Sequence, residues 1–233
     1  MTVAGTGDIN RAPGHGGSAI SIRVLLRRCA AAAAGLALAA GLSAAALTVT
    51  ILHTSDLHGH VDPHDEPGDR DFGQGVARIA TAVRAARAEG RPLLLLDSGD
   101  TIQGSPTQAL VFSGTIPDAG DPIVRAMNLV GYDAMAVGNH EFDFGRARLE
   151  KSRREAKFPW LSANVVGEGG KPAFAPYLVK TVGGVRIGIL GLTTQTVPTW
   201  EPAAHLYGLK FEDAVETARR LVPVLRGKEK CDA

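Results

Sequence analysis

Two cysteines in 233 residues leave little covalent cross-linking to work with. Cys29 belongs to a basic and apolar N-terminal stretch, so beyond it only Cys231 remains and a disulfide framework is excluded. Charge of one sign is also missing, since the formal net charge is +1. Residues 1–46 hold four Lys/Arg and one Asp; without them 21 basic and 23 acidic side chains give −2. No basic stripe or aromatic platform is present, so a nucleic acid polymer is not expected as a partner. Attraction of any charged ligand must then be local. There is no Gly-Lys-Ser/Thr phosphate loop, no internal repeat and no coiled-coil register. The length suffices for a substantial core, in one large domain or two small ones.

What is present begins at the N-terminus. Arg23, Arg27 and Arg28 precede an apolar stretch of Ala, Leu and Gly that ends in Ser43-Ala44-Ala45-Ala46. A basic flank, an apolar segment and small residues read as an export signal over residues 1–46, with a polar N-terminal extension. The alternative is an uncleaved single-span anchor, which would be the chain's one link to a membrane. An exported protein is expected: periplasmic, extracellular or cell-surface.

Residues 47–53 are rich in β-branched side chains and read as a strand. A polar loop spans 59–73. Helical spacing of Val76, Ile79, Val83 and Ala86 predicts a helix over 75–89. The continuous apolar run 93–96 fits a strand covered on both faces. Asp121 and Pro122 mark the start of a helix that ends at Gly131. Strands are expected over 133–137 and 158–166, and a hairpin around Gly183-Gly184. Residues 213–226 form a last helix, weakened by Pro223. The alternation is that of an α/β fold.

Three short runs follow apolar segments: Asp56-Leu57-His58-Gly59, Ser98-Gly99-Asp100 and Gly138-Asn139-His140-Glu141. Asp56 and His58 lie two apart, on one side of an extended segment. A carboxylate beside an imidazole suits zinc, manganese or iron, although a carboxylate also orients a neutral histidine. Asp100 ends a buried strand, where an unpaired carboxylate is costly; an ion would satisfy it, and so would a turn. Asp97, nearer the strand, fits a loop-fixing role. Asn139 offers an uncharged oxygen next to His140. His205 sits in no comparable run and reads as a surface or core histidine.

Taken together, these runs resemble the calcineurin-like metallophosphoesterases, most closely the exported 5'-nucleotidase branch. The resemblance spans residues 47–233. It is carried by Leu52-His53-Thr54-Ser55-Asp56-Leu57-His58-Gly59, Asp100-Thr101-Ile102-Gln103-Gly104-Ser105 and Gly138-Asn139-His140-Glu141-Phe142-Asp143. It implies a partial four-layer α/β/β/α domain with mixed β-sheets, incomplete because the family's later metal-binding histidines are expected beyond Ala233. It also implies that Asp56 and His58 bind a first metal, Asp100 bridges two, and Asn139 binds the second. His140 is then the catalytic histidine, oriented or polarised by Asp143, and Glu141 is structural or supports the ligands from behind.

The implied cofactors are two divalent ions (Zn, Mn, Fe, Co or Ca) in the intact site, and one weakly bound ion in this chain. The implied reaction is hydrolysis of nucleoside 5'-monophosphates or related phosphate esters, impaired here. The alternatives are a noncatalytic metal- or phosphate-binding fragment and a nonfunctional truncated product. The expected partner is a nucleotide or another small phosphate ester.

Overall fold

The computed structural model describes residues 47–64, 73–116 and 120–233. The expected export signal and residues 65–72 of the expected loop lie outside the described residues. Among the described residues, no helix is long and apolar enough to cross a membrane.

The first strand, β1 (Thr50–Thr54), is followed by α1 (Val76–Ala88), which buries Val76, Ile79 and Val83 on one stripe. β2 (Leu93–Asp97) comes next, then α2 (Pro106–Phe112) and α3 (Pro122–Val130). Asp121 caps α3 by accepting from Val124 N–H at 3.2 Å, and Gly131, at φ 79°, ends it in the left-handed conformation. β3 (Ala134–Ala136), α4 (Gly145–Glu155) and β4 (Trp160–Leu161) follow. The four strands form one parallel sheet in the order β1-β2-β3-β4. Their C-terminal ends therefore share one edge, and the segments after them collect there.

The apolar run of β2 is explained by its two covers. Leu95 joins the cluster of Val83, Ile123, Met127 and Met135, whereas Leu94 joins Val182, Val185 and Ile187. Successive residues of a strand face opposite sides, so helices cover one face and a β-hairpin the other. That hairpin follows β5 (Val165–Val166) and consists of β6 (Tyr177–Val182) and β7 (Val185–Leu190). Its turn, Gly183-Gly184, has φ of 59° and 86°, the two-residue geometry that twists with the strands. β8 (Lys210–Phe211) pairs antiparallel with β5, and α5 (Ala214–Gly227) is capped by Asp213, which accepts from Glu216 N–H at 2.8 Å. The result is an α/β fold in which parallel and antiparallel pairing occupy separate sheets.

Two expectations change. Residues 158–166 do not form one strand, because Ser162 and Asn164 are buried and bind a neighbouring loop. Asn164 Nδ2 donates to Thr193 O at 2.7 Å, Thr193 N donates back to Asn164 Oδ1 at 2.9 Å, and Ser162 Oγ lies 2.8 Å from Thr193 Oγ1. These bonds turn the chain out of the parallel sheet after Leu161 and into the pairing with β8. The helices α2 and α4 were not anticipated. α4 buries only Gly145, Leu149 and Ser152, too thin a stripe for periodicity to reveal.

Asp97 ends β2 with 3% of its surface exposed. Thr54 Oγ1 donates to its Oδ2 at 2.6 Å; Gly99 N and Thr101 Oγ1 donate to Oδ1 at 2.8 and 3.0 Å. Burial outweighs these donors and pushes the carboxyl from 3.8 up to about 7. A carboxyl raised in the fold stabilises fully below its unfolded value of 3.8, and that stability is lost as pH rises through about 7. Urea unfolding from about pH 4 to about pH 8 should therefore show wild type losing on the order of 3 kcal/mol relative to Asp97→Asn. Parallel stability curves would contradict this.

Candidate metal centre

Three loops are laced together at the sheet edge. Asp56 N donates to Gly99 O at 3.0 Å, His58 N to Asp100 O at 3.0 Å and Gly59 N to Thr101 O at 2.7 Å. The loop after β1 thus runs along the loop after β2. Asp100 Oδ1 accepts from His140 N at 2.9 Å, which ties in the loop after β3. Glu141 lies beneath all of this, wholly buried. Its carboxylate accepts from Gly138 N at 2.7 Å, Asp100 N at 2.9 Å, Thr101 N at 2.7 Å and Ile102 N at 3.3 Å. Glu141 therefore ties the loops after β2 and β3 together through their backbone N–H groups.

The backbone is strained where the candidate ligands sit. Four non-glycine residues among those described have positive φ; three of them are Asp56 at 56°, His58 at 45° and Asp100 at 58°. Such conformations cost free energy and concentrate at functional sites. Glycines clear space beside them: a Cβ on Gly138 would collide with Asp100 Oδ1, and one on Gly104 would lie 2.7 Å from His58 Cβ.

The side chains converge. His58 Nε2 is 3.7 Å from Asp56 Oδ1, and the His58 and His140 rings meet edge to face with centroids 5.1 Å apart. His58 Nδ1 is 3.0 Å from Gln103 O and 3.2 Å from Gln103 Oε1. Both partners are acceptors, so Nδ1 carries the proton and Nε2 presents a lone pair beside Asp56. Gln103 lies within the second of the three motifs, but its orienting role was not read from the sequence. No hydrogen bond engages the Asn139 side chain among the described residues. Asp56, 53% exposed at its side chain, is the most open member and also accepts from Ser55 Oγ.

His140 Nδ1 is 2.9 Å from Asp143 Oδ2, which leaves Nε2 free to face the loops. Burial disfavours the imidazolium, but the Asp143 hydrogen bond and the charges of Asp143, Asp100 and Glu141 prevail and raise its pKa.

Among the described residues, no three His, Cys, Asp or Glu side chains are drawn in tightly enough to form a finished cage. Donors about 2.1 Å from an ion stand roughly 3–3.5 Å apart. The Asp56–His58 spacing of 3.7 Å is therefore slightly open. The donor set, two carboxylates, one imidazole with a free lone pair and one amide, fits divalent ions of the zinc or manganese kind. His205 does not replace a ligand: its ring packs on Gly145 and its Nδ1 lies 3.2 Å from Glu201.

Comparison with known proteins finds a match to the calcineurin-like phosphoesterase family model over residues 49–218. The 2',3'-cyclic-nucleotide 2'-phosphodiesterase/3'-nucleotidase of Yersinia enterocolitica is 36% identical over 195 residues, which cover 78% of this chain and 30% of that protein. The 5'-nucleotidase of Vibrio cholerae is 36% identical, over 79% of this chain and 32% of its own. Among solved structures, a 5'-nucleotidase precursor from Thermus thermophilus matches with TM-score 0.62 and 34% identity, covering 78% of this chain and 35% of that one. A putative 5'-nucleotidase from Staphylococcus aureus gives TM-score 0.72 at 27% identity, over 79% of this chain and 36% of that one. The chain spans about a third of the length of the curated relatives it matches.

Proposed function

The chain belongs to the calcineurin-like phosphoesterase family, and on that premise we propose that it hydrolyses nucleoside 5'-monophosphates or related phosphate esters at a two-metal centre. The observation that carries the proposal is the left-handed backbone at Asp56, His58 and Asp100, three loop residues with metal-binding side chains gathered at one sheet edge. Asp56 and His58 would hold one ion, Asp100 both, and Asn139 the second. Divalent ions there supply Lewis acidity toward phosphoryl oxygens and make bound water easier to deprotonate.

The protein's own groups do the rest. Asp143 accepts from Nδ1–H of His140 and favours the imidazolium, whose Nε2–H can donate to a phosphoryl oxygen or give its proton to the departing alkoxide. Glu141 holds the loops after β2 and β3 in register, and backbone bonds tie the loop after β1 to them, so the donors need little rearrangement when substrate arrives. Gln103 accepts from His58 Nδ1 and so orients the ring with Nε2 toward Asp56. Export to the periplasm, cell surface or medium belongs to the same reading and rests on the N-terminal pattern of residues 1–46.

Product release by the purified chain with Mn²⁺ or Zn²⁺ tests this: phosphate from AMP, adenosine 2'- or 3'-monophosphate from 2',3'-cyclic AMP, and UMP with glucose 1-phosphate from UDP-glucose. Metal-dependent release that EDTA abolishes is expected. Metal uptake without release from any substrate would favour a noncatalytic metal-binding protein. His140→Asn should lower kcat about 10²–10³-fold while metal affinity stays unchanged. Equal kcat would remove His140 from the chemistry.

A further inference from the structure

A cavity of about 200 Å³ opens one residue beyond His58, between the loop after β1 and the starts of α2 and α3. The loop side presents His60, Asp62 and His64; the helix side presents Ser105, Pro106 and Pro122. Its walls are fixed. Val76 N donates to His60 O at 3.0 Å and Ala77 N to Val61 O at 3.1 Å, which seat the loop on the first turn of α1. Gly59 brings the chain so close to α2 that an added Cβ would stand 2.7 Å from Ser105 Oγ.

The polar groups in the cavity have capacity to spare. Asp62 Oδ1 accepts from His64 N at 2.8 Å and lies 3.0 Å from His64 Nδ1, so the carboxylate is held while Oδ2 is left to take a donor. Ser105, 7% exposed, accepts from Gln108 N at 3.1 Å, and no acceptor takes its O–H among the described residues. No hydrogen bond engages the His60 ring among them either.

This lining selects its occupant. Neither Lys nor Arg borders the cavity, and a carboxylate repels anions, so the phosphoryl group itself is disfavoured there. A neutral group that carries hydroxyls is suited, with a donor for Asp62 and an acceptor for Ser105. The volume is below the roughly 300–1,000 Å³ of sites that enclose a whole drug-sized ligand, so the cavity holds one ring. In a nucleoside 5'-monophosphate, the ring nearest the phosphoryl group is the ribose, with two neighbouring hydroxyls. One can donate to Asp62 Oδ2 and the other accept from Ser105 O–H, while the ring carbons rest on Pro106 and Pro122.

We infer that this cavity is a subsite for the hydroxyl-bearing sugar ring of the ester, with Asp62 and Ser105 reading its hydroxyls. The inference rests on the reading of the adjoining loops as a phosphoesterase centre, but one arm of its test needs no turnover. Histidine-ring ¹H–¹³C NMR spectra of the whole chain with Zn²⁺ report on His60 and His64, assigned from the signals lost in His60→Gln and His64→Gln. The probes are adenosine and 2',3'-dideoxyadenosine.

Adenosine should shift both ring signals, and 2',3'-dideoxyadenosine should need about 10–100-fold more for the same shift, the scale of a hydrogen bond to a charged group. Hydrolysis of AMP should exceed that of 2',3'-dideoxy-AMP by a similar factor in kcat/KM. Asp62→Asn keeps an oxygen for His64 N but loses the charge, and should cut both preferences about tenfold. Thr107→Trp, which fills the cavity from the first turn of α2, should abolish the response to adenosine. Asp62→Asn carries the test alone should Thr107→Trp not fold. Ring signals unmoved by adenosine, equal responses to the two nucleosides, or preferences unchanged in Asp62→Asn would each overturn the inference. A chain that binds adenosine as described but hydrolyses no AMP would sink the nucleotidase reading and leave the subsite. A chain that hydrolyses AMP and 2',3'-dideoxy-AMP equally, with silent rings, would do the reverse.

Discussion

Asp100→Asn will lose at least about a thousandfold in phosphate release, the scale set by removing a group that stabilises charge in the transition state. It will also bind Mn²⁺ far more weakly. Asparagine is the informative replacement because it tolerates the left-handed backbone, φ 58°, better than other substitutes. Its side-chain oxygen can still accept from His140 N, as Asp100 Oδ1 does at 2.9 Å. The loops should therefore stay in place and the melting temperature should change little, so the loss reads out the missing charge. Titration of Mn²⁺ monitored by electron paramagnetic resonance, beside a phosphate-release assay, checks both parts. Wild-type affinity in the variant would refute a bridging role for Asp100.

Glu141→Ala should be the most destabilising single substitution in the site, by about 3–5 kcal/mol. Its carboxylate is wholly buried and accepts from the backbone N–H groups of Asp100, Thr101, Ile102 and Gly138. Truncation leaves all four amides facing a cavity, and an unsatisfied buried donor costs about 1–3 kcal/mol. Water entering the cavity would recover part of this, which is why the expected loss is below the simple sum. Metal affinity should fall as well, because the loops after β2 and β3 lose their common anchor. Urea unfolding gives the stability and Mn²⁺ titration the affinity. A loss under about 1 kcal/mol would show that Glu141 does not hold the loops together.

The parts of this structure that could be read from sequence are those with local causes. Asp121 and Pro122 announce α3 because a cap and its helix are neighbours in the chain. The Gly183-Gly184 turn announces its hairpin for the same reason. Asp56, His58, Asp100 and Asn139 stood out because each follows a strand of one parallel sheet, and parallel strands bring their ends together. What escaped depends on distant partners. Asn164 leaves the strand path because Thr193, 29 positions on, takes its amide. Gln103 orients His58 across 45 residues, again without a sequence signature.

The most direct test is crystallographic. Crystals grown with Mn²⁺ and measured at a wavelength where manganese scatters anomalously should show a peak between Asp56, His58 and Asp100, about 2–2.3 Å from their oxygen and nitrogen donors. Asn139 should face the same density or a second peak beside it. An empty map at these loops, or manganese bound only elsewhere on the molecule, would contradict the assignment of this sheet edge as the metal centre.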